Sequence, residues 1–125
     1  MKILVVDDDP VIVKALSSRL QKDGYAITST TDPKQALEYL QKDNFDLIIS
    51  DIIMPYMSGI ELLTEIKKYS GSTPIILISA LDQKELILTA FELGAKDFVV
   101  KPINMDELSL RITKYEAGKE DGEGN

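Results

Sequence analysis

Short apolar runs alternate with segments of helical period along this chain. Five runs read as strands: Ile3 to Val6, Tyr25 to Thr30, Leu47 to Ile49, Ile75 to Ile78 and Phe98 to Val100. The second is the weakest, being short and rich in threonine. Between them, one buried helical face is predicted from each of four sets: Ile12, Ala15, Leu16 and Leu20; Ala36, Leu37 and Leu40; Leu62, Leu63, Ile66 and Tyr69; and Leu108, Ile112 and Tyr115. Asp82 is placed as the cap of a further helix, running from Gln83 to Leu93 and closed by Gly94. That helix carries two stripes, Leu86, Ala90 and Leu93 on one side and Ile87, Leu88 and Phe91 on another. Asp9-Pro10 and Asp32-Pro33 each pair an N-cap with a proline suited to the first helical position, and Gly24 ends the first helix.

Such alternation predicts repeated βα units, an α/β fold with a mainly parallel sheet. The near-continuous aliphatic run before Asp51 suits a strand covered on both faces. From Ala117 onward only Ala, Gly, Glu, Asp, Lys and Asn occur, with nothing to bury. The chain therefore divides into a domain over 1–116 and a flexible acidic, Gly-rich tail, or the start of a linker, over 117–125.

Composition narrows the chemistry. The balance of 14 basic against 21 acidic residues gives a net charge of -7, which repels a nucleic-acid backbone and an anionic membrane alike. With no cysteine and no histidine, thiolate catalysis, thiolate metal sites and the commonest general base are excluded, so any metal is a hard one held by oxygen. The first apolar run is too short for a signal-peptide core and no run approaches a membrane span, which makes the cytoplasm the expected location.

The runs share one feature that the composition makes informative. Four of them end on polar residues: Asp7 and Asp8, then Asp51, Ser79 and Lys101. In open α/β sheets the ligand crevice lies at the carboxyl ends of the strands, so these side chains are expected to converge. Three carboxylates and one ammonium leave a local charge of -2, and like charges ~4 Å apart repel by ~4 kcal/mol at an effective dielectric of about 20. Such a cluster calls for a cation, and Mg²⁺ is held in this manner, by one or two carboxylates, water and a phosphate oxygen. A carboxylate beside that ion, facing a lysine ammonium and a serine hydroxyl, can attack phosphorus while the phosphoryl charge is held from several sides. Phosphoryl transfer onto Asp51 is the chemistry expected.

At this point the chain resembles a known family, the receiver domains of two-component response regulators, of which the chemotaxis response regulator is a single-domain example. The likeness covers Lys2 to about Tyr115 and rests on four motifs: Val5-Val6-Asp7-Asp8-Asp9-Pro10, Ser50-Asp51-Ile52-Ile53-Met54-Pro55, Ile78-Ser79-Ala80 and Phe98-Val99-Val100-Lys101-Pro102. It implies a flavodoxin-like, doubly wound, five-stranded parallel sheet in the order 2-1-3-4-5, with helices on both faces, an architecture of which the chemotaxis response regulator is itself an example. Residue by residue, Asp51 matches the phosphoacceptor, Asp7 and Asp8 the acidic pair holding Mg²⁺, and the backbone carbonyl of Ile53 a further metal ligand. Ser79 matches the hydroxyl that bonds the phosphoryl group, Lys101 the lysine that pairs with it, and Phe98 the aromatic switch position. A cis bond before Pro102 is also implied. Serine at 79 and phenylalanine at 98 are the less common choices, and Phe98 has no hydroxyl to bond when turned inward.

The function so implied is a phosphorylation-activated switch in a two-component phosphorelay. It takes a phosphoryl group from a sensor histidine kinase or histidine phosphotransfer protein and passes the signal to a downstream effector or a covalently linked output domain. The changing surface is implied to be the fourth helix, fifth strand and fifth helix, with Ile87, Leu88 and Phe91 facing partners. Ile53 and Leu81, two positions beyond Asp51 and Ser79, match side chains that flank the water attacking the acyl phosphate; both are apolar, so slow self-dephosphorylation is expected. The alternative, a Mg²⁺-dependent phosphohydrolase with an Asp nucleophile, wants a second acid where Ile53 stands. A flavin-binding electron carrier of the same architecture would need phosphate donors where the loop after the first strand is acidic.

Overall fold

The five apolar runs pair as parallel strands in a computed structural model that describes residues 1–69, 71–80 and 84–116. The elements in chain order are β1 (Lys2–Val6), α1 (Pro10–Lys22), β2 (Ala26–Thr30), α2 (Pro33–Lys42), β3 (Leu47–Asp51), α3 (Gly59–Tyr69), β4 (Ile75–Ser79), α4 (Lys84–Glu92), β5 (Asp97–Val100) and α5 (Met105–Ile112), followed by a 3₁₀ turn over Thr113–Tyr115. The sheet order is β2-β1-β3-β4-β5, as the resemblance implied. Asp82, Gln83, Leu81 and the 117–125 segment lie outside the described residues. No helix among the described residues is long and apolar enough to cross a membrane.

Period-two alternation explains why the central strands are aliphatic throughout. Leu4 and Val6 of β1, Ile48 of β3, and Ile75 and Leu77 of β4 face one side, where they pack with Ala36 and Leu40 of α2, Leu62, Leu63 and Ile66 of α3, and Ala90 of α4. Their neighbours Ile3, Val5, Leu47, Ile49, Ile76 and Ile78 face the other, against Leu16 and Leu20 of α1 and Leu108 and Ile112 of α5. A one-residue slip of any central strand would exchange the two sets, so register and site position are fixed together.

Local signals start the helices. Asp9 and Asp32 are N-caps whose side chains accept from the backbone N–H of Val11 and Lys34, each followed by proline in the first helical turn. Asn104 caps α5 by accepting from the Glu107 N–H at 3.0 Å. Ser58 and Glu61 form a reciprocal capping box before α3: the Ser58 hydroxyl accepts from the Glu61 N–H at 3.1 Å and the Glu61 carboxylate from the Ser58 N–H at 3.3 Å.

Three expectations are corrected. Ala15 is exposed and Val13 buried, because α1 presents Val13, Leu16 and Leu20 to the sheet, and at about 100° per residue Ala15 falls on the side opposite Val13. Tyr69 is 47% exposed and accepts a hydrogen bond from the Gln41 side chain, since α3 anchors itself through Leu62, Leu63 and Ile66. On α4 the expected stripes do not separate: Ala90 is buried and Ile87 packs on the same core, so the inward direction falls between them. Leu86, Leu88, Phe91 and Leu93 are left exposed.

Gly59 fixes the exit of β3. A Cβ there would lie 2.5 Å from the Asp51 carbonyl oxygen and 2.6 Å from the Ile52 Cα, both backbone atoms that cannot yield. The Gly59 N–H meanwhile donates to the Ile52 carbonyl at 2.7 Å. Gly59→Ala should therefore destabilise the fold by about 1–3 kcal/mol through overpacking against backbone. Urea unfolding checks this, and a variant as stable as the wild type would contradict the close approach.

Candidate functional site

Neighbouring strands bring the polar ends together. Register pairs Val6 with Ser50, Asp51 with Ile78, and Ser79 with Val100, so β1, β3, β4 and β5 finish side by side. Asp51 and Ser79 are the last residues of their strands, while Asp7 and Lys101 each stand one residue beyond theirs. Asp7, Asp51 and Ser79 are buried and Asp8 is exposed. Carboxylate oxygens of Asp7, Asp8 and Asp51 lie within 4.8 Å of one another.

The two buried carboxylates are held alike, each with one oxygen on the backbone and one turned to the lysine. Asp7 Oδ1 accepts from the Asp9 N–H at 2.9 Å, and Asp51 Oδ1 from the Ile53 N–H at 3.2 Å. Lys101 Nζ donates to Asp51 Oδ2 at 2.9 Å and stands 3.7 Å from Asp7 Oδ2. Burial alone would lower the Lys101 pKa, but the hydrogen bond and charge of Asp51, with Asp7 and Asp8 behind it, raise it above the ordinary lysine value. The ammonium is thus charged, yet one positive charge does not balance three negative ones. Asp7 Oδ2 remains buried without a hydrogen-bond partner.

That orphaned oxygen and its two carboxylate neighbours make an all-oxygen donor set that fits a hard divalent cation such as Mg²⁺. Asp9 is spent on capping α1. Ile53 lies at the rim with its side chain 49% exposed, so it is not an apolar loop residue turned into the core. Ser79 reaches the site by strand adjacency, its hydroxyl donating to the Ala80 carbonyl at 2.9 Å. The Lys101–Pro102 bond is cis. Phe98 sits on β5 beside Leu77, half-buried, with its ring edge-on to Phe91 at 5.7 Å between centroids. Of the residues expected to face partners, Leu88 and Phe91 are exposed and Ile87 is not.

Sequence reasoning missed two supports of the site. Gly59 reads in the sequence only as part of the loop after Asp51, although Ser58 and Glu61, three residues apart, signal a helix start there. The other support is Thr30, whose carbonyl accepts from the Asp7 N–H at 3.3 Å and ties the site to the β2 edge. Nothing in a threonine-rich run signals that role.

Burial pushes the Asp7 carboxyl up from 3.8 to about 6; the Asp9 N–H opposes this, the Asp51 charge adds to it, Lys101 opposes it and Asp8 adds to it. Because the folded value lies above the unfolded one, the contribution of Asp7 to stability is fully present below about pH 4 and is lost as pH rises through about 6. Asp7→Asn removes that ionisation. In metal-free buffer the variant should therefore exceed the wild type by a margin that opens between about pH 4 and 6 and reaches roughly 2–3 kcal/mol. Denaturant midpoints across this range in the presence of a chelator check it, and a margin independent of pH would contradict it.

Comparison with known proteins accords with this geometry. The profile of the response regulator receiver domain matches residues 3–113. A probable transcriptional regulator ycf27 from Guillardia theta is 40% identical over 111 residues, covering 89% of this chain and 43% of that protein. The chain spans about half the length of the curated relatives it matches. Among solved structures, the chemotaxis protein CheY4 of Vibrio cholerae superposes with a TM-score of 0.85 at 33% identity, over 91% of this chain and 97% of that one. A CheY-like receiver domain protein from Methanospirillum hungatei gives a TM-score of 0.90 at 26% identity, over 97% of each chain. With the family profile matching residues 3–113 of a chain whose sheet runs β2-β1-β3-β4-β5, the chain belongs to the receiver domains of two-component response regulators, which act as phosphoacceptor signalling switches.

Proposed function

We propose that Asp51 is the phosphoacceptor, taking its phosphoryl group from a phosphohistidine on a sensor histidine kinase or histidine phosphotransfer protein. One observation carries the reading: Asp51 is a buried carboxylate with one oxygen fixed by a backbone N–H and the other 2.9 Å from an ammonium, within a cluster of three carboxylates. As the Asp51 oxygen bonds to phosphorus, the phosphorus–nitrogen bond breaks and its electron pair returns to the ring. The imidazole leaves neutral, keeping the proton on its other nitrogen. Asp7, Asp8, Asp51 and the Ile53 carbonyl would hold Mg²⁺, which when bound would supply charge neutralisation at the phosphoryl oxygens.

The chain's own groups do the rest. Lys101 already contacts the carboxylate and can follow the negative charge onto a phosphoryl oxygen, where its raised pKa keeps it protonated. Ser79 exchanges its bond to the Ala80 carbonyl for a phosphoryl oxygen. That exchange draws the end of β4 toward Asp51 and opens room for Phe98 to turn inward, a shift between pre-existing states of the β5 edge. Phe98 moves against Phe91, so the change emerges at exposed Leu88 and Phe91, where an effector protein or a linked output domain reads it. The domain over 1–116 thus acts as a cytoplasmic switch and not a turnover enzyme. Ile53 offers no second acid for a phosphohydrolase.

Asp51→Asn should abolish labelling by acetyl phosphate in Mg²⁺, read as loss of the phosphate mass increment on the intact protein. Undiminished labelling would move the acceptor elsewhere. The half-exposed, apolar Ile53 beside Asp51 can block a hydrolytic water but cannot orient one. Ile53→Asn should shorten the phosphoryl lifetime by ~10-fold, about 1.4 kcal/mol off the barrier. Equal lifetimes would show that this side chain does not gate the water.

A further inference from the structure

Ser50 stands between the aliphatic run Leu47 to Ile49 and Asp51, the one polar residue before the carboxylate in that strand, and it is 1% exposed. It stands between Ile48 and Ile52 on the face packed by α2, α3 and α4, beside Val6 of β1 and Leu77 of β4, all of them in the aliphatic core. An aliphatic side chain would suit that environment better than a hydroxyl. The hydroxyl donates to the Asp51 carbonyl at 3.0 Å, and its direction is unambiguous because a carbonyl can only accept.

That carbonyl belongs to the peptide group joining Asp51 to Ile52, and the N–H of the same group donates to the Ile78 carbonyl at 2.9 Å. A peptide is planar, so fixing both ends fixes the plane. Rotation of this plane would change ψ of Asp51 and φ of Ile52 together. Where the two changes do not cancel, the chain beyond Ile52 is redirected and the Ile53 N–H, which holds the Asp51 Oδ1 at 3.2 Å, moves relative to the carboxylate. Gly59 closes the remaining side of the carbonyl.

We infer that Ser50 is a positioning residue for phosphoryl transfer, its hydroxyl locking the Asp51–Ile52 peptide plane and so the aim of the acceptor carboxylate. Successive strand side chains point to opposite faces, so Ser50 acts from behind the sheet and touches neither phosphoryl group nor metal. The inference rests on Asp51 as the phosphoacceptor.

Threonine and valine at this position differ only in the hydroxyl and are equal in shape. Ser50→Thr, Ser50→Val, Ser50→Ala and Asp51→Asn are compared in the full chain, with melting curves as the control for folding. The readout is the rate of phosphate incorporation from acetyl phosphate, across donor concentration at saturating Mg²⁺. Ser50→Thr should stay within ~2-fold of the wild-type maximal rate. Ser50→Val and Ser50→Ala should fall by ~10-fold or more with the donor concentration for half-maximal rate little changed, since ~1 Å of misplacement costs ~100-fold. Valine and threonine variants reacting at one rate, or Ser50→Ala at the wild-type rate, would overturn the inference with the acceptor reading intact. Label persisting on Asp51→Asn would overturn the acceptor reading and this inference with it.

Discussion

The interaction on which the structure turns is the one between Lys101 and two buried carboxylates at the ends of adjacent strands. Its ammonium lies 2.9 Å from Asp51 and 3.7 Å from Asp7, while Asp8 adds a third negative charge within 4.8 Å of both carboxylates. At such separations each like-charge pair costs ~4 kcal/mol at an effective dielectric near 20, and one lysine cannot offset them all. The domain holds this imbalance because its two core layers over-determine where the strands end. The imbalance is also what makes the site responsive, since a bound cation or a phosphoryl group changes the charge that Lys101 and Ser79 face.

Everything nearby serves to hold those carboxylates against their repulsion. Asp7 hangs from the Asp9 N–H, and Asp9 is itself fixed as the cap of α1. Asp51 is fixed by the Ile53 N–H, and behind it the Ser50 hydroxyl, the Ile78 carbonyl and Gly59 enclose one peptide group. Lys101 is joined to β4 through its own N–H, which donates to the Ser79 carbonyl at 2.8 Å. In the proposed switch the lysine and the hydroxyl would therefore shift together as the end of β4 moved, linking the site to Phe98, Phe91 and the exposed face of α4.

Much of this was legible in the residues because strand ends are marked by an abrupt change from aliphatic to polar. Asp7, Asp8, Asp51, Ser79 and Lys101 all stand at such changes, and the alternation of elements was enough to bring them to one sheet edge. Faces of helices were less legible. Leu86 and Leu93 share a stripe with Ala90 by spacing, but small Ala90 lets α4 sit close and Ile87 takes the second inward place, leaving both leucines exposed. Tyr69 followed the right period and still pointed outward, where Gln41 gave its hydroxyl a partner. Supports made by backbone, such as the Gly59 approach and the Thr30 carbonyl beside Asp7, leave almost no trace in sequence, because any residue has a carbonyl and many loops have a glycine.

The most direct test is a crystal structure of the chain with Mg²⁺ and beryllofluoride, which mimics a phosphoryl group on a carboxylate. Beryllium should be bonded to an Asp51 oxygen, with the metal on Asp7, Asp8, Asp51 and the Ile53 carbonyl. Lys101 should have moved from Asp51 to a fluoride, and the Ser79 hydroxyl should have left the Ala80 carbonyl to meet another. Beryllofluoride bound to a different residue, or to Asp51 with Lys101 and Ser79 still in their present contacts, would contradict the switch as described.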